Sequence, residues 1–102
     1  MIVVKVEYTV LPEFVVENRI NIAAFLEEFK SLDNTKFRYT VLASTDGMTF
    51  THLSMYKNEQ IQQQLLQLPS FLFFQSQRDS IGLLSEPQVE QLELIGGTSN
   101  FF

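Results

Sequence analysis

Thr49-Phe50-Thr51-His52-Leu53-Ser54-Met55-Tyr56, then Lys57-Asn58-Glu59-Gln60 and a Gln/Leu run into Leu68-Pro69-Ser70-Phe71, reads as a strand, a helix, a break and a second helix. The first eight residues mix β-branched and aromatic side chains, the pattern of a half-buried strand. Asn58 is placed to cap a helix carrying Ile61, Leu65, Leu66 and Leu68, and Glu59 in its first turn suits the helix dipole. Pro69 interrupts that helix. Ser70 is expected to cap a restarted one bearing Phe71, Phe74 and Arg78, closed by Gly82. The only histidine of the chain, His52, lies in the strand.

Working outward, about Lys36 to Thr45 reads as the strand before it, with Asp46-Gly47 as the hairpin signal. Ile2 to Val10 alternates, with Ile2, Val4, Val6 and Tyr8 opposed to Lys5, Glu7 and Thr9, and Pro12 ends it. From about Val15 to Leu32, the residues Ile22, Phe25, Leu26 and Phe29 recur at helical spacing, and Asp33-Asn34 stops the run. Pro87 to Ile95 is the last strand. The order is β-α-β-β-α-β, the ferredoxin-like α+β arrangement. Right-handed crossovers put both helices on one face of a four-stranded antiparallel sheet. The other face is left bare, and a homodimer with sheets face to face, a dimeric α/β barrel, is expected to cover it. Residues 1–96 are expected to form one domain, with 97–102 a flexible tail. Its Phe101-Phe102 either docks on a second subunit or is a disordered end.

Composition narrows the function. At 102 residues, 45% hydrophobic and 19% charged, the chain is long enough for one packed core. With no cysteine it has no disulfide, thiolate nucleophile or cysteine-ligated metal. A formal charge of −5 without a basic cluster argues against nucleic-acid binding. The apolar runs Ala23–Leu26 and Phe71–Phe74 are far below the ~20 residues of a membrane span, and the N-terminus lacks a secretory pattern. A cytoplasmic protein is expected.

The opening Ile2-Val3-Val4 strand, Phe50–Tyr56 leading into Asn58-Glu59, and Pro69-Ser70-Phe71 feeding Phe74 together resemble the dimeric α/β-barrel superfamily. Within it, the chain is similar to the antibiotic-biosynthesis monooxygenase-like domains. The resemblance implies a homodimer whose monomers each enclose a cavity for a small aromatic or apolar metabolite. If the chain is an enzyme, the expected reaction is oxidation or isomerisation without a cofactor; otherwise the metabolite is only bound. Members that open haem use tryptophan and a histidine on the second helix; this chain has neither.

His52 is the one side chain expected to titrate near neutral pH. Its neighbours depend on hairpin register. A two-residue Asp46-Gly47 turn pairs His52 with Val41, beside Phe37, Tyr39 and Phe50. A three-residue Thr45-Asp46-Gly47 turn with a glycine bulge pairs it with Thr40. The second sorts polar from apolar side chains better and is the expected one. It predicts a polar strip of Arg38, Thr40, His52, Ser54 and Tyr56. The candidate catalytic residues are therefore His52 as base, Tyr56 as hydrogen-bonding phenol and Arg38 as clamp for negative charge. Phe50, Ser54, Phe71 and Phe74 are the candidate ligand-binding residues. No metal site or cofactor is expected: one imidazole and scattered carboxylates (Glu7, Glu90, Glu93) fall short of a ligand set. The competing reading is a non-catalytic dimeric module whose interior is filled by its own phenylalanines, and a cavity of several hundred Å³ beside His52 would tell against it.

Overall fold

A computed structural model describes residues 1–100 and 102; the expectation for Phe101 lies outside the described residues. Its elements are β1 (Ile2–Thr9), α1 (Val15–Phe29), β2 (Phe37–Ala43), β3 (Thr49–Tyr56), α2 (Glu59–Leu66), α3 (Pro69–Gln77) and β4 (Gln88–Leu92). A 3₁₀ turn at Pro12–Phe14 precedes α1, and a π-helical turn at Arg78–Gly82 extends α3. The strands form one antiparallel sheet in the order β2-β3-β1-β4, so the fold is the ferredoxin-like α+β arrangement.

Local chemistry explains most boundaries. Asn58 is the N-cap of α2, its side-chain oxygen accepting from the Ile61 N–H at 3.0 Å. Pro69 begins α3, where its missing N–H would be unpaired anyway. The cap of α3 is therefore Leu68, not Ser70 as expected. Ser70 Oγ instead donates to Glu28 Oε1 at 2.6 Å and ties α3 to α1. β4 ends at Leu92, three residues before the expected Ile95. At Gly82 a Cβ would lie 2.4 Å from the Phe14 ring, so only glycine lets the π turn pass so close.

The hairpin register is the main correction. His52 pairs with Val41, Ser54 with Tyr39, and Tyr56 with Phe37. The connection is four residues, Thr45–Met48, closed by Ser44 N–H to Thr49 O at 2.8 Å. Gly47 at φ 76° completes the turn. Asp46 Oδ1 accepts from the Ser44 hydroxyl and the Met48 N–H, holding the turn. Phe50, His52, Ser54 and Tyr56 share a face in any register. The bulged form would have set them against Arg38 and Thr40, burying a guanidinium or exposing two aromatics. The observed form sets them against Phe37, Tyr39 and Val41, and burial of aromatic area decides it.

That face receives the helices. Asn18, Ile22, Phe25 and Phe29 of α1 point inward, as do Phe71 and Phe74 of α3. Phe25 is the hub, with ring centroids 4.9 Å from Phe74, 5.0 Å from Phe71 and 5.1 Å from Phe29. Phe73, between two buried phenylalanines, is exposed.

Candidate functional site

A cavity of about 770 Å³ opens between the sheet, α2, α3 and the Leu83–Pro87 segment leading to β4. Its apolar wall is Val4 and Val6 of β1, Leu66 of α2 and the rings of Phe71 and Phe74. Its polar wall is Tyr39, His52, Ser54 and Tyr56 from the sheet, with Arg78 and Asp79 from the π turn. The alternation of β3 produces this arrangement, because successive even-numbered side chains stand on the same face. The segment past the π turn is held by Leu11 N–H to Gly82 O at 2.8 Å and Leu84 N–H to Thr9 O at 2.9 Å.

His52 is 2% exposed, and both of its ring nitrogens meet tyrosines. Tyr8 Oη lies 2.8 Å from Nε2, and Tyr39 Oη lies 2.8 Å from Nδ1. Behind Tyr8, Asn18 Nδ2 donates to the same phenol oxygen at 3.1 Å. Burial, helped by the nearby Arg78 charge, pulls the imidazole pKa from 6.5 down to about 3. Burial likewise pushes the Tyr8 phenol up to about 12 and raises Tyr39 and Tyr56. At neutral pH the cluster is a chain of uncharged donors and acceptors, with His52 a neutral link.

Arg78 supplies the positive charge. It is buried, donates Nε–H to Asp79 Oδ1 at 2.8 Å, and holds Cζ 5.1 Å from the Tyr8 ring centroid and 5.2 Å from that of Phe74. A guanidinium stacked on two rings is fixed in direction, which suits it to face a ligand oxygen. Among the described residues, no group of three or more His, Asp or Glu side chains could hold a metal ion.

The structure brings His52, Ser54, Tyr56, Phe71 and Phe74 together around the cavity. Phe50 stands behind it, stacked on Tyr8 at 5.7 Å between centroids. Arg38 does not share the face of His52, a consequence of the corrected register. It lies at the sheet edge, donating to the Asn34 and Phe37 carbonyls at 3.0 and 3.1 Å, with Cζ 5.8 Å from the Phe102 ring. Ser54 Oγ turns to the Val4 carbonyl at 3.4 Å and makes no hydrogen bond to His52. Sequence reasoning missed Asn18, Tyr8, Tyr39 and Arg78. Tyr8 and Tyr39 were read for their rings, and Asn18 sits at helical spacing before Ile22 and Phe25, which was the signal that it faces the core.

No protein-family model matches this sequence, and no curated protein matches it. Solved structures share its fold at low identity. Rv0793 from Mycobacterium tuberculosis is 17% identical with a TM-score of 0.78, the match covering 96% of this chain and 98% of that one. A crystal structure of an antibiotic biosynthesis monooxygenase is 9% identical with a TM-score of 0.78, covering 94% of this chain and 100% of the other. A Nitrosomonas europaea protein, provisionally named an antibiotic biosynthesis monooxygenase, is 13% identical with a TM-score of 0.79, covering 96% and 93%. The chain thus has the ferredoxin-like fold of the antibiotic-biosynthesis-monooxygenase-like structures.

Proposed function

We propose that this protein binds a small aromatic metabolite bearing a phenol or quinol oxygen in the cavity beside His52 and oxidises it with dioxygen, without a cofactor. The observation that carries this reading is the cavity itself. Its volume, about 770 Å³, is in the range of small-molecule sites, and one wall is aromatic while the other gathers Tyr39, His52, Tyr56 and Arg78. An interior filled by phenylalanines would leave no such space. Two structural neighbours named as antibiotic biosynthesis monooxygenases support the same type of reaction.

In this reading Phe71 and Phe74, their ring centroids 5.6 Å apart, together form one aromatic wall against the ring of the ligand, and its oxygen meets Arg78 and the tyrosine hydroxyls. Arg78 takes the place that sequence reasoning gave to Arg38: its fixed charge favours the substrate as its phenolate, the proton leaving to water through the cavity mouth. That phenolate then gives its electrons to dioxygen. The substrate is the reductant and dioxygen the oxidant. His52 is a neutral hydrogen-bond link between Tyr8 and Tyr39 and does not act as the base, because an imidazole with a pKa of about 3 is a poor base at pH 7. The protein is taken as a cytoplasmic homodimer built on residues 1–96, joined through the outer face of the sheet, with 97–102 an appendage. Among the described residues, no helix is long and apolar enough to cross a membrane.

A thermal-shift and oxygen-uptake panel of naphthols and hydroquinones tests the proposal. Stabilisation by at least one of them is expected, with oxygen uptake falling about 10²-fold in Arg78→Gln. No stabilisation by any compound and no oxygen uptake would remove it.

A further inference from the structure

Asn18, Tyr8, His52 and Tyr39 form one hydrogen-bonded line that ends at the cavity. A neutral imidazole has one donor nitrogen and one acceptor nitrogen, so only two arrangements run donor to acceptor along the whole line. A third, with Tyr8 accepting from both Asn18 and Nε2–H, strands the buried Tyr8 O–H. In the first, Asn18 Nδ2–H donates to Tyr8, the Tyr8 hydroxyl donates to His52 Nε2, and His52 Nδ1–H donates to Tyr39. The Tyr39 proton is then free. In the second, every bond is reversed: Tyr39 donates to Nδ1, Nε2–H donates to Tyr8, and Tyr8 donates to an Asn18 amide turned about.

The burial of Asn18 decides between them. It is 0% exposed, and its second amide atom, Oδ1, has no hydrogen-bond partner. The first polarity leaves the amide oxygen unpaired and turns the Tyr39 O–H to the cavity, where water or ligand can accept it. The second pairs the Tyr39 O–H but leaves both amide N–H groups of Asn18 unpaired, away from the cavity. Orphaned buried N–H groups are the rarer and costlier of the two. The Tyr39 hydroxyl has no partner besides His52 among the described residues. Burial also keeps Tyr39 protonated and His52 uncharged, so the line cannot relax by ionising.

We infer that Asn18 is a positioning residue: acting through Tyr8, it holds His52 as the Nδ1–H tautomer and so leaves the Tyr39 proton pointing at an acceptor oxygen of the ligand. This rests on the proposed function for the ligand and deepens it. The site selects the oxygen as an acceptor (a phenolate, an enolate or a quinone carbonyl) and disfavours one that must donate at that point. A packing residue 10 positions from Tyr8 thereby sets the hydrogen-bond role of the substrate.

His52 is the only histidine, so ¹⁵N-imidazole NMR of the ligand-free protein reads this one ring. The expected spectrum shows a protonated Nδ1 and a bare Nε2, opposite to the usual preference of imidazole for Nε2–H. Asn18→Asp presents an acceptor to Tyr8 and should move the proton to Nε2. Asn18→Leu, nearly isosteric and apolar, should raise the Nε2–H population and serves if the buried carboxylate prevents folding. A wild-type ring protonated at Nε2, or an Nδ1–H signal unchanged in the folded variants, overturns the inference. Binding of 1,4-naphthoquinone, an acceptor-only probe, should weaken about tenfold in Asn18→Asp. An Nδ1–H wild type that binds neither naphthoquinone nor naphthol sinks the ligand reading and leaves the polarity intact.

Discussion

The two faces of the sheet use the same strands for opposite purposes. On the helix side, Tyr8, Phe50, His52 and Tyr56 are each 2% exposed, and three polar groups of this layer close a single hydrogen-bonded line. On the outer side, Lys5 and Glu7 form a loose pair at 3.9 Å, Thr51 reaches Glu7 at 3.4 Å, and Leu42 is half exposed. Polarity alone does not tell these faces apart. The difference is that a buried polar group must find a partner, while an exposed one has water. His52 belongs inside because two phenols stand ready at its two nitrogens, not because its side chain is apolar.

The contrast can be broken most severely at its aromatic hub. Phe25→Ala removes a 0% exposed ring that touches Phe29, Phe71, Phe74 and His52, and should cost about 3–5 kcal/mol in urea unfolding. A loss below about 1 kcal/mol would mean the helix-side layer is loosely packed.

Acid sharpens the contrast. The folded pKa of His52 lies near 3 and its ordinary value is 6.5. The unfolded chain therefore binds this proton first, and the stability from a neutral His52 is complete above pH 6.5. It declines as pH falls toward 3, at up to roughly 1.4 kcal/mol per pH unit. His52→Gln should flatten that part of the stability–pH curve; a slope identical to wild type would show that His52 titrates normally in the fold.

Between the helices, Ser70→Ala removes the bond to Glu28 and should destabilise by about 1 kcal/mol. The smallest effect belongs to the outer face. Thr40→Ala should change unfolding stability by no more than about 0.5 kcal/mol in a monomer, measured at concentrations where only that species sediments. A larger loss that grows with protein concentration would instead place Thr40 in a subunit contact.

Much of the fold was legible. The β1 alternation of Ile2, Val4, Val6 and Tyr8, the Asn58 cap and the Pro69 break all act within a few residues, and each appears in the structure. The candidate site was legible only along β3, where His52, Ser54 and Tyr56 were grouped correctly because two-residue spacing keeps them on one face. Arg38 was grouped with them wrongly, because the hairpin turn permits two registers that differ by which β2 face joins. Arg78 was assigned only to a helix, since its role depends on stacking against Tyr8, 70 positions earlier.

The sequence by itself determined which residues lie on a common strand or helix face, through the periods of the two backbones and the chemistry of caps and turns. The tertiary structure alone decided which faces meet. Register, the pairing of His52 with Tyr8 and Tyr39, and the replacement of Arg38 by Arg78 all follow from closing one aromatic layer in which, among the described residues, a single buried side-chain atom, the Asn18 amide oxygen, is left without a partner. That condition involves every element at once, and no local stretch of the chain contains it.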